Sequence, residues 1–232
     1  MKEITCEQIT EAVRDLCIKV SYDLPQDVES CLKAAQDKEE SPFGKYCLEQ
    51  IVNNAELARD TKQAMCQDTG MAVIYLEVGQ DVHITGGALT DAVNEGVRQG
   101  YKDGYLRKSV AKDPAFSRLN TLDNTPAIIH TEIVPGDELK IMVVPKGAGS
   151  ENMGALKMLK PTAGIQAVKD FIVDTVRNAG GNPCPPIVVG VGIGGTMEKA
   201  TELAKFALTR EIGSENPDEN YAALEKELLE SN

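Results

Sequence analysis

Apolar residues recur at helical spacing between Ile4 and Val20, at Ile9, Ala12, Val13, Leu16, Cys17 and Val20, which predicts an amphipathic helix. A second, shorter helix is expected after Pro25. Ser41-Pro42 puts a capping hydroxyl and a first-turn proline ahead of Cys47, Ile51 and Leu57, so a third helix should run toward Arg59. The texture changes after Gly70. Met71 to Val78 predicts a strand, and Ala88 to Gln99, between glycines, predicts a helix. Two apolar runs, Ala127 to Val134 and Leu139 to Val144, meet at Gly136-Asp137 and predict a hairpin. Pro161 opens and Gly180-Gly181 close a helix carrying Ile165, Val168, Phe171, Ile172 and Val176. A buried strand from Ile187 to Ile193, a helix from Thr196 to Leu208 and a polar helix within Asn216 to Asn232 complete the pattern. No internal repeat, low-complexity tract or sharp linker interrupts it. The expectation is an α+β fold, a mixed sheet with a helical N-terminal layer, forming one domain over residues 1–232.

Composition narrows the class. With 232 residues, 42% of them hydrophobic and 26% charged, the chain can bury a substantial core. Its formal net charge of −12 argues against nucleic acid or an anionic membrane as partner, because both demand a basic face. An anionic ligand would have to be held by local Arg, Lys and backbone N–H groups. No apolar run reaches the roughly 18 residues that span a bilayer, and Met1-Lys2-Glu3-Ile4 is too polar to open a signal peptide, so a cytoplasmic location is expected. Six cysteines without short-loop spacing read as free thiols rather than a disulfide framework.

Four of those thiols, Cys6, Cys17, Cys31 and Cys47, fall in helical segments and read as small buried apolar residues. The other two stand in turn chemistry. Cys66 opens Cys66-Gln67-Asp68-Thr69-Gly70, and Cys184 sits between prolines in Asn182-Pro183-Cys184-Pro185-Pro186, where the following proline biases it toward an extended backbone. Soft thiolates beside amide and carboxylate groups suggest an iron-sulfur cluster or zinc next to a polar substrate. Gly147 to Ser150, in a glycine-rich turn leaving a strand, could form an anion-binding nest, or it could be a plain strand-to-helix connection. Arg107 offers a planar fork suited to a carboxylate; taken alone it reads as a surface ion pair before a ligand contact. Gly190 to Gly195 satisfies G-x-G-x-x-G, which raises a dinucleotide-binding module as an alternative, but no second strand follows near Glu211 to complete the unit. His83 and His130 lack zinc-ligand spacing to any cysteine and read as structural.

Ser41-Pro42, Ile51 to Arg59, Cys66 to Gly70, Leu106 to Ser109, Asn124 to Ala127, Lys146 to Asn152, Asn182 to Pro186 and Gly190 to Thr196 together resemble, in order, the iron-sulfur hydro-lyases. The resemblance is to the α subunit, or N-terminal region, of class I fumarate hydratase and of L-tartrate dehydratase. It implies a class I fumarase N-terminal-type domain and an oxygen-sensitive 4Fe-4S cluster held by three cysteines, with one iron open to substrate. Cys66 and Cys184 match two ligand positions. Gln67 and Asp68 match residues that contact substrate, Arg107 a carboxylate-binding arginine, and Gly147, Gly149 and Ser150 a substrate-facing loop. The family's third ligand lies beyond the position where this chain ends and no cysteine follows Cys184, so a C-terminally truncated α subunit is expected, the alternative being that the third ligand position, and with it the cluster, is lost. The resemblance also implies a β subunit carrying further catalytic residues. The expected reaction is hydration of fumarate to malate, a C4 dicarboxylate pair, with tartrate dehydration as the alternative.

Overall fold

The computed structural model describes residues 2–231. They fall into two compact units, the first ending at Ala148 and the second beginning at Gly149.

In the first unit, Thr5 decides where the chain turns helical. Its hydroxyl accepts the Gln8 N–H at 3.2 Å while the Gln8 side chain accepts the Thr5 N–H at 2.9 Å, a reciprocal cap that satisfies two orphan donors. Strand β1 (Lys2–Thr5) therefore stops there and helix α1 (Cys6–Tyr22) begins, so the helix expected from Ile4 starts later than its apolar spacing suggests. Helix α2 (Gln26–Lys38) follows Pro25, and α3 (Pro42–Thr61) is capped by the Ser41 hydroxyl, which accepts the Gly44 N–H. Leu32 of α2 packs with Leu48 and Val52 of α3 in a small core of their own.

Strand β2 (Met71–Gly79) is the centre of the sheet. Ala72, Ile74 and Leu76 are almost fully buried and point at Ile9, Val13 and Cys17 of α1 and at Val93, Val97 and Tyr101 of α4 (Leu89–Asp103). Helices α1 and α4 touch backbone to backbone because a Cβ at Gly96 would sit 2.6 Å from the Val13 Cβ, and one at Gly100 would sit 2.8 Å from the Cys17 Cβ. Between β2 and α4, the short strand β3 (Val82–Thr85) pairs parallel with β1, an element the sequence pattern did not foreshadow.

Strands β4 (Ile128–Val134) and β5 (Leu139–Lys146) both form, but they do not pair with each other as a hairpin. The order is β4-β2-β5, with β4 parallel and β5 antiparallel to β2. The four residues that join them pass over the end of β2, where Gln80 N–H donates to Val134 O at 2.8 Å and Asp81 N–H to Gly136 O at 2.9 Å. A Cβ at Gly79 would lie 2.5 Å from Gly136 O, so that crossing needs glycine. The more apolar β2 takes the central position because only there are both its edges paired and one face fully covered. The sheet is mixed and the fold is α+β, as expected from the sequence.

In the second unit, the short α5 (Ala148–Glu151, its first residue still in the first unit) leads to a 3-10 turn at Pro161–Ala163 and α6 (Gly164–Ala179), then α7 (Met197–Ala207) and α8 (Glu219–Glu230). Lys169 of α6 holds Glu227 of α8 at 2.6 Å, and Asp218 caps α8 through the N–H groups of Asn220 and Tyr221. Residues 187–193 are neither strand nor buried: Val188 is 56% exposed and Val189 48%. The apolar run finds no strand to pair with among the described residues and lies instead on α7. A Cβ at Gly190 would meet Ala204 O at 2.1 Å, and one at Gly192 would meet Ala200 O at 2.0 Å. The glycines of G-x-G-x-x-G thus serve backbone contact with a helix, and the strand that a dinucleotide-binding unit requires is missing from this segment. No described helix is long and apolar enough to cross a membrane.

Candidate functional site

Between α3 and β2 the chain makes a turn that is anchored at both ends. At its entry, Met65 N–H donates to Ser21 O at 3.0 Å and Met65 O accepts from Asn54 Nδ2 at 2.8 Å. At its exit, Gly70 has φ +64 and its Cβ position is filled by the Lys146 backbone at 2.4 Å, so both the dihedral and the crowding require glycine. The Tyr101 hydroxyl donates to Thr69 O (2.8 Å) and approaches Gly70 O (3.2 Å), while the Thr69 hydroxyl donates to Arg107 O at 3.0 Å. Burial therefore rises along the turn: Cys66 and Gln67 are exposed, Asp68 is half-buried, Thr69 and Gly70 are buried. Exposed side chains stand on a fixed backbone.

The Cys66 Sγ accepts the Asp68 N–H at 3.4 Å, which fixes the sulfur against the backbone of its own turn. Asp68 lies against the end of β5, where a Cβ at Gly147 would come within 2.9 Å of Oδ2; the glycine makes room for the carboxylate. Arg107 follows the buried Leu106 on a segment bonded to the same turn, and its side chain is exposed with no ion pair among the described residues. The first unit thus brings Cys66, Gln67, Asp68, Gly147 and the backbone of Arg107 into one neighbourhood.

In the second unit, Gly149 and Ser150 are exposed on α5, and a Cβ at Gly149 would be 3.6 Å from Asn182 O, two residues before Cys184. Cys184 is exposed and its N–H closes a turn onto Gly181 O at 3.2 Å. Its φ is +60, not the extended value that a following proline favours. That turn, formed as the chain leaves Gly180 at the end of α6, overrides the local preference, and such outliers concentrate where function holds them.

All six cysteines are free. Cys17 is buried and burial pushes its thiol up to about 12, which makes it inert as a ligand. Cys6 and Cys47 are half-buried. Cys31, expected to be buried, is exposed on α2. By donor chemistry, Cys66 and Cys184 suit a cluster: soft, accessible, in loops, and in the case of Cys66 supported by an N–H. Among the described residues no group of three or more His, Cys, Asp and Glu side chains is gathered to hold a metal ion.

Two residues that build the site were not singled out for it by sequence. Tyr101 continues the apolar stripe of Val93 and Val97 on α4, and a hydroxyl ending a buried stripe is the signal that it has a polar errand. Burial raises its pKa above the ordinary tyrosine value, with the nearby Cys17 and Asp68 adding to the rise and the Asn124 amide opposing it. Asn124 is 0% exposed, with φ +61. Only its place in an Asn-Thr-Pro turn hinted at it.

The family model described as Fumarate hydratase (Fumerase) matches residues 10–232. A protein of Methanocaldococcus jannaschii named "Putative L(+)-tartrate dehydratase subunit alpha" is 41% identical over 227 residues, covering 96% of this chain and 80% of that protein. One of Escherichia coli, named L(+)-tartrate dehydratase subunit alpha, is 32% identical over 233 residues, covering 99% of this chain and 76% of that protein. The match runs through the Cys66 turn, the Arg107 segment and the Cys184 turn alike, and this chain belongs to the fumarate hydratase family of hydro-lyases.

Proposed function

We propose that this chain is the α-type catalytic subunit of a hydro-lyase acting on a four-carbon dicarboxylate, with L(+)-tartrate as the favoured substrate. The observation that carries the chemistry is the braced turn itself: an exposed thiol, an amide and a half-buried carboxylate on one fixed backbone, hydrogen-bonded to the segment that bears the exposed Arg107. Tartrate is preferred over fumarate because both relatives bear that name across nearly all of this chain. Fumarate hydration, which the family description favours, is the second reading.

Cys66 and Cys184 would hold an iron-sulfur cluster of the 4Fe-4S type. When bound, a cluster with an open iron supplies a Lewis acid that polarises the C–O bond of a substrate hydroxyl. The rest falls to side chains. Arg107 grips one carboxylate through two parallel N–H bonds. Asp68 and Gln67 orient the hydroxyl at the reacting carbon, Asp68 by accepting its proton in a hydrogen bond. Gly147, Gly149 and Ser150 present N–H groups and a hydroxyl to the second carboxylate. Tartrate differs from malate by one hydroxyl, so discrimination depends on a polar partner for it, which Gln67 or Ser150 can supply.

The remaining parts of this reading are a β subunit that completes the site, action of residues 1–232 as one catalytic domain, and a cytoplasmic setting that suits an acidic chain with six free thiols. The test is an anaerobic reconstitution with iron and sulfide of the chain co-expressed with its partner. Oxaloacetate release from L(+)-tartrate and loss of fumarate absorbance would be measured side by side. A kcat/KM at least roughly tenfold higher for tartrate is expected, the weight of one well-placed polar contact. The reverse preference would establish the fumarate reading, and turnover of neither would sink both.

A further inference from the structure

We propose that Asn124, seconded by Tyr101, is a positioning residue that fixes the Arg107 segment to the Cys66–Asp68 turn; the inference rests on the site reading above. Both ends of its amide are used at once. Oδ1 accepts the Ser109 N–H at 2.7 Å, and Nδ2 donates to Gly70 O at 3.2 Å. The Thr69 hydroxyl, donating to Arg107 O, closes a ring from Gly70 through Asn124 to Ser109, along the chain to Arg107, and back through Thr69. Tyr101 adds its hydroxyl to the two carbonyls of the turn.

A ring of this kind transmits displacement. Arg107 is two residues from Ser109 and Asp68 two residues from Gly70, so freeing either bond lets the carboxylate grip and the acid-bearing turn drift apart. Small drifts matter, because groups that act together must hold their geometry to fractions of an ångström. The residue type fits the task. A carboxamide places an acceptor and a donor on two separate atoms of one short side chain, and asparagine tolerates the left-handed backbone found here. Aspartate would keep the Ser109 bond and set two oxygens against each other at Gly70.

The test uses the complete, cluster-loaded enzyme with its partner subunit. Asn124→Ala should lower kcat/KM roughly tenfold or more, about the weight of one or two buried hydrogen bonds, while iron content stays within error. Arg107→Lys alone should raise KM. Combined, the two should cost clearly less than the product of their separate effects, because Asn124 acts through the placement of Arg107. In the same protein, exchange of the Ser109 amide should accelerate while β2 amides stay protected. Should Asn124→Ala fail to fold, Tyr101→Phe keeps the buried ring, removes only the hydroxyl, and should lower kcat with the same sub-multiplicative coupling. If Arg107→Lys leaves KM unchanged, the site reading fails and this inference with it. If Arg107→Lys acts as expected but Asn124→Ala is inert, or multiplies independently with it, the positioning role alone is overturned.

Discussion

Gly70 and Gly147 meet similar crowding with different consequences. A Cβ at Gly70 would strike the Lys146 backbone at 2.4 Å from a left-handed φ, so neither neighbour can yield; Gly70→Ala should lose about 1–3 kcal/mol of stability, read by denaturant unfolding. A Cβ at Gly147 would strike only the carboxylate end of Asp68 at 2.9 Å, which can swing aside. Gly147→Ala should therefore unfold near the wild-type midpoint yet lose turnover, because the displaced group is the proposed hydroxyl-orienting acid. The thiols divide in the same way. Cys66→Ser and Cys184→Ser should lose iron and activity, since a hydroxyl is a harder, poorer cluster ligand. Cys17→Ser should keep its iron, assayed by metal analysis, and lose only stability, because it buries a hydroxyl in an apolar contact between α1 and α4.

At the scale of elements, the segment from Gly104 to Pro126 shows how a long loop can be fixed without regular structure. Asp113 caps the turn after it through the N–H groups of Ala115, Phe116 and Ser117, Ala111 bridges to Asn120, and Asp123 anchors the far end. Burial alone would raise the Asp123 carboxyl, but the Thr125 N–H and hydroxyl and the Arg98 guanidinium together hold it at about 2, against an ordinary value of 3.8. A pKa depressed in the fold contributes stability that is complete above about pH 4 and is lost as pH falls toward 2. Thermal melts of the wild type should show that loss, and Asp123→Asn, which lacks the contribution throughout, should show a shallower acid limb. Asp113, Asn120 and Asp123 all bond the loop's own backbone, pairings that leave no periodic spacing from which its path could be read in the sequence.

For the molecule as a whole, the misread segment is the informative one. Ile187 to Ile193 has the composition of a buried strand and sits exposed on α7, its apolar side chains facing solvent in the described structure. Such a run is a pairing template. The chain without partners should self-associate as concentration rises, measured by sedimentation, and Val188→Lys with Val189→Glu should suppress this without disturbing the Gly190 and Gly192 contacts. A net charge of −12 opposes nonspecific clustering but cannot cancel a local apolar patch.

What the sequence determined by itself was what depends on neighbours a few residues apart. The Ser41 cap, the apolar stripes of α1 and α6, the identity of β2, and the turn chemistry of Cys66 to Gly70, Arg107 and Gly147 all lie in short spacings, where dihedral preference and periodic burial decide the outcome. The ordered set of those motifs carried the family. Tertiary structure decided whatever needs a partner distant in the chain. That β2 separates β4 from β5, that Ile187 to Ile193 finds no strand among the described residues, and that Tyr101 and Asn124 converge on Gly70 O are all outcomes of long-range pairing. Periodicity reports which face of a segment is buried. It carries no information about what buries it, because a hydrogen bond between residues 54 positions apart, as between Asn124 and Gly70, leaves no local spacing to read.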